Sequence, residues 1–479
     1  MSEQYAKRIM IAAPRSGSGK TTVTCALLET LKRRGLDPVS FKCGPDYIDP
    51  LFHNKVLGIE SRNLDTFFAG REGIKKILSG YEDRYTVIEG VMGIYDGMAA
   101  SVTEGSCYEI SAITKTPVIL VADASGVGRT LISLLKGILI DDTCNLIKGI
   151  ILNRISEGFY EDLKPDLEME IAKMRSDVIL LGYFPKNPDI RIESRHLGLK
   201  LPGETENLKK KIDAAASALE DHVDIDALLS LMTVGKVSDY IKQGSVIERS
   251  AQVVSYEKSA QVVSYEKGPV LAVALDEAFC FYYKDNLDLF ERNGVNICYF
   301  SPIRDERLPE DTAGILLGGG YPENHLKELS SNGSMLESIR NAISSGIPSL
   351  AECGGFMYLH KTITDMEGNK YEMAGVCDGD CYYSGHLVRF GYMMISSVNS
   401  GREELLNCLI GMKGHEFHYY ESTCNGQAAV ASKPFKDRSW NCMVVKNNGI
   451  WGFPHFYYGS KPEFVQCFVS LMKKGRSYE

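Results

Sequence analysis

The sequence predicts an α/β protein of two domains, each built on a mainly parallel sheet flanked by helices. Short apolar runs alternate with longer amphipathic intervals across the first half of the chain, the pattern of strands covered on both faces. The same rhythm restarts at Gly268, after a stretch that breaks it. In each half, one apolar run also passes straight into a glycine-containing turn and a helix-like stretch, at Ile9 to Lys20 and at Ser349 to Gly355.

Bulk properties bound the class. A chain of 479 residues suits two to four domains at ~150 residues each. With 44% hydrophobic and 24% charged residues, it reads as an ordinary globular protein. No run approaches the ~18 apolar residues of a membrane span, and Met1 to Arg8 lead into a strand without the form of a signal peptide. A cytoplasmic location with no membrane partner is therefore expected. The 13 cysteines include no CxxC pair and read as mostly reduced, buried thiols. The net charge of −9 argues against nucleic acid as a partner. It leaves room for an anionic small molecule, which feels charges within roughly 10 Å.

In chain order, the first strands are Arg8 to Ala13, Pro38 to Cys43, Tyr85 to Glu89, Pro117 to Ala122, Gly149 to Asn153 and Val178 to Phe184. The intervals are long enough for crossover helices, so residues 1–235 read as one doubly wound domain. Within residues 236–267, the nonapeptide Ser250 to Lys258 recurs as Ser259 to Lys267. Two copies are too few for a solenoid, so the segment reads as a linker in a tolerant position, or else as a solvated edge strand. Residues 268–479 form the second domain. Its strands are Pro269 to Leu275, Asn296 to Phe300, Gly314 to Leu317 and the run before Cys353, followed by a β-rich tail that includes Met443 to Val445.

The first turn, Pro14-Arg15-Ser16-Gly17-Ser18-Gly19-Lys20-Thr21-Thr22, has the form of a phosphate-binding loop, although Pro14 replaces its usual first glycine. Backbone N–H groups from Ser16 to Thr22 would face phosphate oxygens at a helix N-terminus. Lys20 would reach the β/γ-phosphates and Thr21 would hold Mg²⁺. Ligands of a parallel sheet gather outside the carboxyl ends of its strands, and those ends carry Lys42 to Pro50, Glu89 to Gly93, Asp96, Asp123, Asn153 and Arg154. Glu89 ends its strand as a Mg²⁺-binding carboxylate does, with a helix N-cap as the plainer reading. Asp46 and Asp49 lie among prolines and glycines, where aspartates commonly just form turns. Asn153 offers an amide to an adenine edge. Arg191, Arg195 and His196 form a cluster able to pair carboxylates, or a solvated loop.

The second turn, Ser349-Leu350-Ala351-Glu352-Cys353-Gly354-Gly355, suits a nucleophile elbow. An exposed thiol is expected there, shifted toward thiolate by the helix N-terminus.

Several segments together resemble the cobyrinate a,c-diamide synthases, glutamine-dependent enzymes of corrin biosynthesis. They are Ser16 to Thr22, Phe41-Lys42-Cys43-Gly44-Pro45-Asp46-Tyr47-Ile48-Asp49-Pro50, Glu89-Gly90-Val91-Met92-Gly93, Arg195-His196-Leu197-Gly198-Leu199, Ala274 to Phe279, Gly319-Gly320-Tyr321-Pro322-Glu323 and Gly414-His415-Glu416-Phe417-His418-Tyr419. The resemblance spans nearly the whole chain apart from the duplicated linker.

The resemblance implies a P-loop NTPase domain similar to dethiobiotin synthetase, with ATP and Mg²⁺ as cofactors. This domain would convert a substrate carboxylate to an acyl phosphate, which ammonia displaces, first on one and then on the other of the a and c side chains of cobyrinic acid. Asp46, Tyr47, Asp49, Arg195 and His196 would lie near that substrate. The second domain is similar to class I glutamine amidotransferases. There Cys353 would attack L-glutamine, His455 would shuttle the proton, and Gly319 and Gly320, within the Gly318 to Gly320 turn, would offer oxyanion donors.

The chain departs from that pattern at Tyr457, where many such enzymes carry a carboxylate. Glu463, the next acid, reads as a helix N-terminal charge, so a Cys–His pair is expected with its third member unassigned. His415 and His418 are equally readable as functional or structural. Hydrogenobyrinate and nickel-sirohydrochlorin are alternative macrocycles for the same chemistry. A regulatory P-loop ATPase with an inactive amidotransferase-like domain is the alternative of a different class. Oligomeric state is not readable in the sequence, which leaves a homodimer neither supported nor opposed.

Overall fold

The computed structural model of the chain describes residues 5–190, 202–239, 268–399 and 404–475. They fall into two compact units, one on each side of residues 240–267. The duplicated nonapeptide, Arg191, Arg195 and His196 lie outside the described residues.

In the first unit, β1 (Tyr5–Ala12), β2 (Pro38–Cys43), β3 (Ser61–Leu64), β4 (Tyr85–Glu89), β5 (Val118–Asp123), β6 (Ile147–Ile155) and β7 (Ile179–Pro185) form a parallel sheet in the order β3-β2-β4-β1-β5-β6-β7. The expected strands are all present. Two were not anticipated: the polar edge strand β3, and β8 (Thr233–Gly235), which runs antiparallel to the start of β1. Both faces of the sheet are buried, as its continuous apolar runs require. Met10 and Ala12 of β1 enter one core cluster, while Ile9 and Ile11 enter the other. From β1 the chain builds one side of the sheet and then the other, so the carboxyl ends of β1 and β4 lie where the strand order reverses.

The second unit repeats this plan. Its main sheet joins β9 (Val270–Ala274), β10 (Asn296–Phe300), β11 (Thr312–Leu317) and β12 (Ser349–Glu352) in the order β10-β9-β11-β12, continued by Gly449–Gly452 and Val444–Lys446. Only the last of these pairs is antiparallel. Ala272 and Ala274 face one core cluster and Leu271 and Val273 the other. The β-rich tail adds a five-stranded antiparallel sheet, in which Arg389–Val398, Lys413–His418 and His455–Phe456 lie side by side. Among the described residues, no helix is long and apolar enough to cross a membrane.

Candidate active sites

The turn after β1 runs into helix α1 (Lys20–Arg33) through Gly19, which takes a left-handed φ of 97°. A Cβ at Gly19 would stand 2.1 Å from Asn153 Nδ2, so this position has room only for glycine. Asn153, at the end of β6, is buried and donates to Ser18 O at 2.7 Å. It therefore clamps the loop from below, with one amide hydrogen committed to that task. Lys20 is buried and bends over the turn, donating to Met92 O at 2.5 Å and to Arg15 O at 3.3 Å. Burial lowers its pKa.

Beside the loop lies a dense charge network. The β2–β4 register sets Lys42 opposite Glu89. Glu89 Oε1 accepts from Thr21 Oγ1 at 2.6 Å and from Lys42 Nζ at 2.9 Å, and its Oε2 lies 3.4 Å from His53 Nε2. Lys42 also pairs with Asp49 at 2.6 Å. Burial opposes the charge on Lys42, yet Glu89, Asp49 and Asp46 hold its pKa well above the ordinary value. Burial and the neighbouring Asp49 raise Glu89 to about 7, against the pull of Lys42 and Thr21.

Asp46 does form a turn, with Oδ1 accepting from Ile48 N at 2.7 Å and Asp49 N at 3.3 Å. Burial and Asp49 raise its pKa, so it does not behave as a solvated turn residue. Tyr47 is buried next to it. Thr21 and Glu89 present hard oxygens side by side at a phosphate loop. That donor set fits Mg²⁺, which takes one or two protein oxygens and fills its octahedron with water and phosphate. Among the described residues no cluster of three His, Cys, Asp or Glu side chains could hold a metal by itself, so phosphate and water would have to complete this one.

In the second unit, Cys353 has φ 49° and ψ −105°, a conformation that few non-glycine residues adopt and that gives the expected elbow between β12 and helix Gly354–Leu359. Two further expectations for the thiol need correction. It is 7% exposed, hence buried at the turn. Burial, reinforced by Glu323, pushes its pKa up and outweighs the Gly354 N–H, so the resting group is a thiol and not a thiolate.

The glycine turn touches both members of the expected pair. A Cβ at Gly319 would fall 2.3 Å from His455 Cε1, and one at Gly354 would fall 3.2 Å from Gly320 N. Gly318 N–H is committed to Tyr282 OH at 2.9 Å and Gly318 O to Gly355 N at 3.0 Å, which fixes the turn against the elbow. Cys353 N donates to Gly452 O at 2.8 Å, three residues before His455.

Burial and the neighbouring His415 and His418 hold His455 well below the usual imidazole range, hence neutral. His415 pairs with His455 in strand register and stacks on it at 5.0 Å. Tyr283 OH also lies 3.2 Å from its Nδ1, and burial takes its pKa down to about 3. His418 instead stacks on Phe453 at 4.0 Å and pairs with Glu416 at 3.0 Å. Tyr457 donates to Asp285 at 2.9 Å, and Glu463 lies in the first turn of helix Pro462–Gly475.

Two family profiles match the chain. The CobQ/CobB/MinD/ParA nucleotide binding domain matches residues 9–199, and the CobB/CobQ-like glutamine amidotransferase domain matches residues 270–452. A protein named cobyrinate a,c-diamide synthase from Caldanaerobacter subterraneus subsp. tengcongensis is 37% identical, with 96% of this chain and 97% of the relative aligned. Proteins of the same name from Clostridium acetobutylicum and Clostridium tetani are 36% and 35% identical, with 97% of this chain aligned in each case and 100% and 99% of the relatives. The chain belongs to the cobyrinate a,c-diamide synthase family.

In this member of the family, two residues stand in the first site that the sequence did not single out. Lys42 carried a signal, being the one charged residue in the fully buried run Pro38–Cys43. His53 carried none; it lies in a short helical stretch and is brought to Glu89 only by the fold. In the second site, Glu323 and Glu352 lie in segments the sequence marks but have no role assigned there. Glu352 precedes the nucleophile, accepts from Tyr458 OH at 2.6 Å, and is raised by burial to about 8.

Proposed function

We propose that this chain amidates the a and c carboxylates of cobyrinic acid, using ATP and ammonia drawn from L-glutamine. The observation that carries this reading is the presence of two equipped sites in one chain: a phosphate loop beside a buried carboxylate network, and a buried thiol sharing a glycine turn with a neutral histidine.

In the glutaminase half-reaction, His455 takes the Cys353 proton as Sγ bonds to the glutamine amide carbon. Gly319 and Gly320 N–H groups receive the oxyanion, and the C–N bond breaks as His455 returns the proton to the leaving ammonia. Water, deprotonated by His455, then cleaves the thioester to give glutamate.

In the synthetase half-reaction, backbone N–H groups from Ser16 to Thr22 and the Lys20 ammonium hold the phosphates. Thr21 and Glu89 would hold Mg²⁺, which supplies charge neutralisation on the phosphates when bound. A substrate carboxylate oxygen takes the γ-phosphoryl group, with ADP leaving. Ammonia then attacks the acyl carbon and phosphate departs, leaving the amide. Asp46, Tyr47 and Asp49 would face the macrocycle, and Lys42 sits between Glu89 and Asp49 as their shared cation. Arg195 and His196 are proposed as further contacts to its carboxylates.

Mass spectrometry of products tests the reading. The chain is given L-glutamine, MgATP and, in turn, cobyrinic acid, hydrogenobyrinic acid or nickel-sirohydrochlorin. Cobyrinic acid should become the diamide with two glutamates released. Amidation of another macrocycle alone would transfer the chemistry to that substrate, and no glutamate release with any of them would end the ligase reading.

A further inference from the structure

We propose that Glu323 is the specificity-determining residue of the Cys353 site and receives the α-ammonium group of L-glutamine. The proposal rests on the glutaminase reading above and names which part of the substrate this residue recognises.

The placement comes first. The glycine turn at Gly318 to Gly320 continues through Tyr321 into a short 3₁₀ turn, Pro322–Asn324. This segment is wedged into the site. A Cβ at Gly354, the residue after the nucleophile, would fall 2.8 Å from Pro322 Cδ. Tyr321 packs edge-on against Phe281 at 5.0 Å, and the Phe281 ring in turn lies 6.3 Å from that of His455. Glu323 therefore follows directly on residues held between the nucleophile's helix and the general base.

Its charge lies close enough to the Cys353 thiol and the Tyr420 hydroxyl to add to burial in raising the pKa of both. Among the described residues no side chain donates a hydrogen bond to it and no Lys, Arg or His forms an ion pair with it. Burial accordingly takes its own pKa up to about 7.

Such a group is unfavourable until a counter-charge binds beside it. A half-buried carboxyl without a partner loses part of its hydration, and its charge opposes ionisation of the nearby thiol. Both costs vanish when a cation arrives. Glutamine carries one, its α-ammonium, separated from the scissile amide by the side-chain methylenes. Pairing it with Glu323 neutralises the charge that adds to burial in holding the Cys353 proton in place. Binding of the correct substrate then lowers the barrier to proton transfer onto His455.

The test compares L-glutamine with its α-deamino analogue, glutaramate, as substrates for glutaminase turnover. Wild-type protein should favour glutamine in kcat/KM by about 100-fold or more, because the analogue leaves Glu323 unpaired. In Glu323→Gln that ratio should collapse toward one, chiefly through a raised KM for glutamine. Glu323→Asp should restore part of it. If Glu323→Gln lowers both substrates by the same factor, Glu323 only shapes the turn and the assignment falls alone. If the wild-type protein hydrolyses neither substrate in the presence of MgATP and cobyrinic acid, the glutaminase reading falls and takes the assignment with it.

Discussion

The two sites handle buried ionisable groups in opposite ways. Around the phosphate loop, burial is partly matched by opposite charge: Lys42 stays protonated because Glu89, Asp49 and Asp46 surround it, although burial still raises Glu89 to about 7 and lowers Lys20. Around Cys353, burial wins: the thiol, His455 and Glu352 are all pushed toward their neutral forms. The difference follows the chemistry. Phosphoryl transfer brings highly charged ligands, and fixed charges of both signs can orient them without reorganisation. Thiol attack on an amide starts from neutral partners and builds charge only along the reaction, so a neutral resting site with a base at hand suffices.

Removing one centre should therefore silence only its own half. The largest effect is expected for Cys353→Ala, which should lower glutamine-dependent amidation at least about a thousandfold while leaving amidation from ammonium salts. Loss of both activities would contradict two separable sites. Lys20→Ala should lower ATP-dependent turnover about 100- to 1000-fold with either nitrogen source. A variant that failed with glutamine yet worked with ammonia would place Lys20 outside the synthetase step.

Lys42→Met probes the charge-matched network itself. It leaves the buried Glu89 and the half-buried Asp49 without their cation, and removing one member of a buried ion pair costs about 3–5 kcal/mol. Chemical denaturation followed by circular dichroism should show that loss, and adding Glu89→Gln should recover part of it. Unchanged stability would mean that solvent already screens these charges.

The comparison also explains what the sequence could and could not reveal. Strands such as Pro38–Cys43 and Val118–Asp123 are apolar along most of their length because both faces of the sheet are covered, so their hydropathy marks them directly. Strand Ser61–Leu64 is a polar edge, and Thr233–Gly235 pairs with a strand more than 200 residues earlier, so neither carries a local signal. The loop and the elbow were legible because each needs small residues at fixed spacing. The thiol's burial was not: Pro322 and the glycine turn crowd the neighbouring Gly354, and Gly452 pairs with Cys353, from distant parts of the chain. For the same reason the elbow suggested a thiolate, when the surroundings that set its pKa are non-local.

The smallest effect, and the finest probe of the difference, lies at Glu352. Its carboxyl titrates at about 8 in the folded chain against 4.5 for an ordinary glutamate. Between those values the folded state holds a proton that the unfolded state has released, so stability falls as pH rises from about 4.5 through about 8 and levels off above. Glu352→Gln cannot ionise, yet its amide oxygen can still accept from Tyr458 OH. Both tryptophans, Trp440 and Trp451, lie in the second unit, so their fluorescence follows this unit's unfolding. The wild-type urea midpoint should drop between about pH 5 and about pH 9, and the drop should shrink in Glu352→Gln. Glu323, raised to about 7, contributes with the same sign, so some slope should survive in the variant. Equal slopes in both proteins would show that Glu352 is ionised in the folded state, with a charge-matching partner like that of Glu89, and the contrast between the two sites would lose its second half.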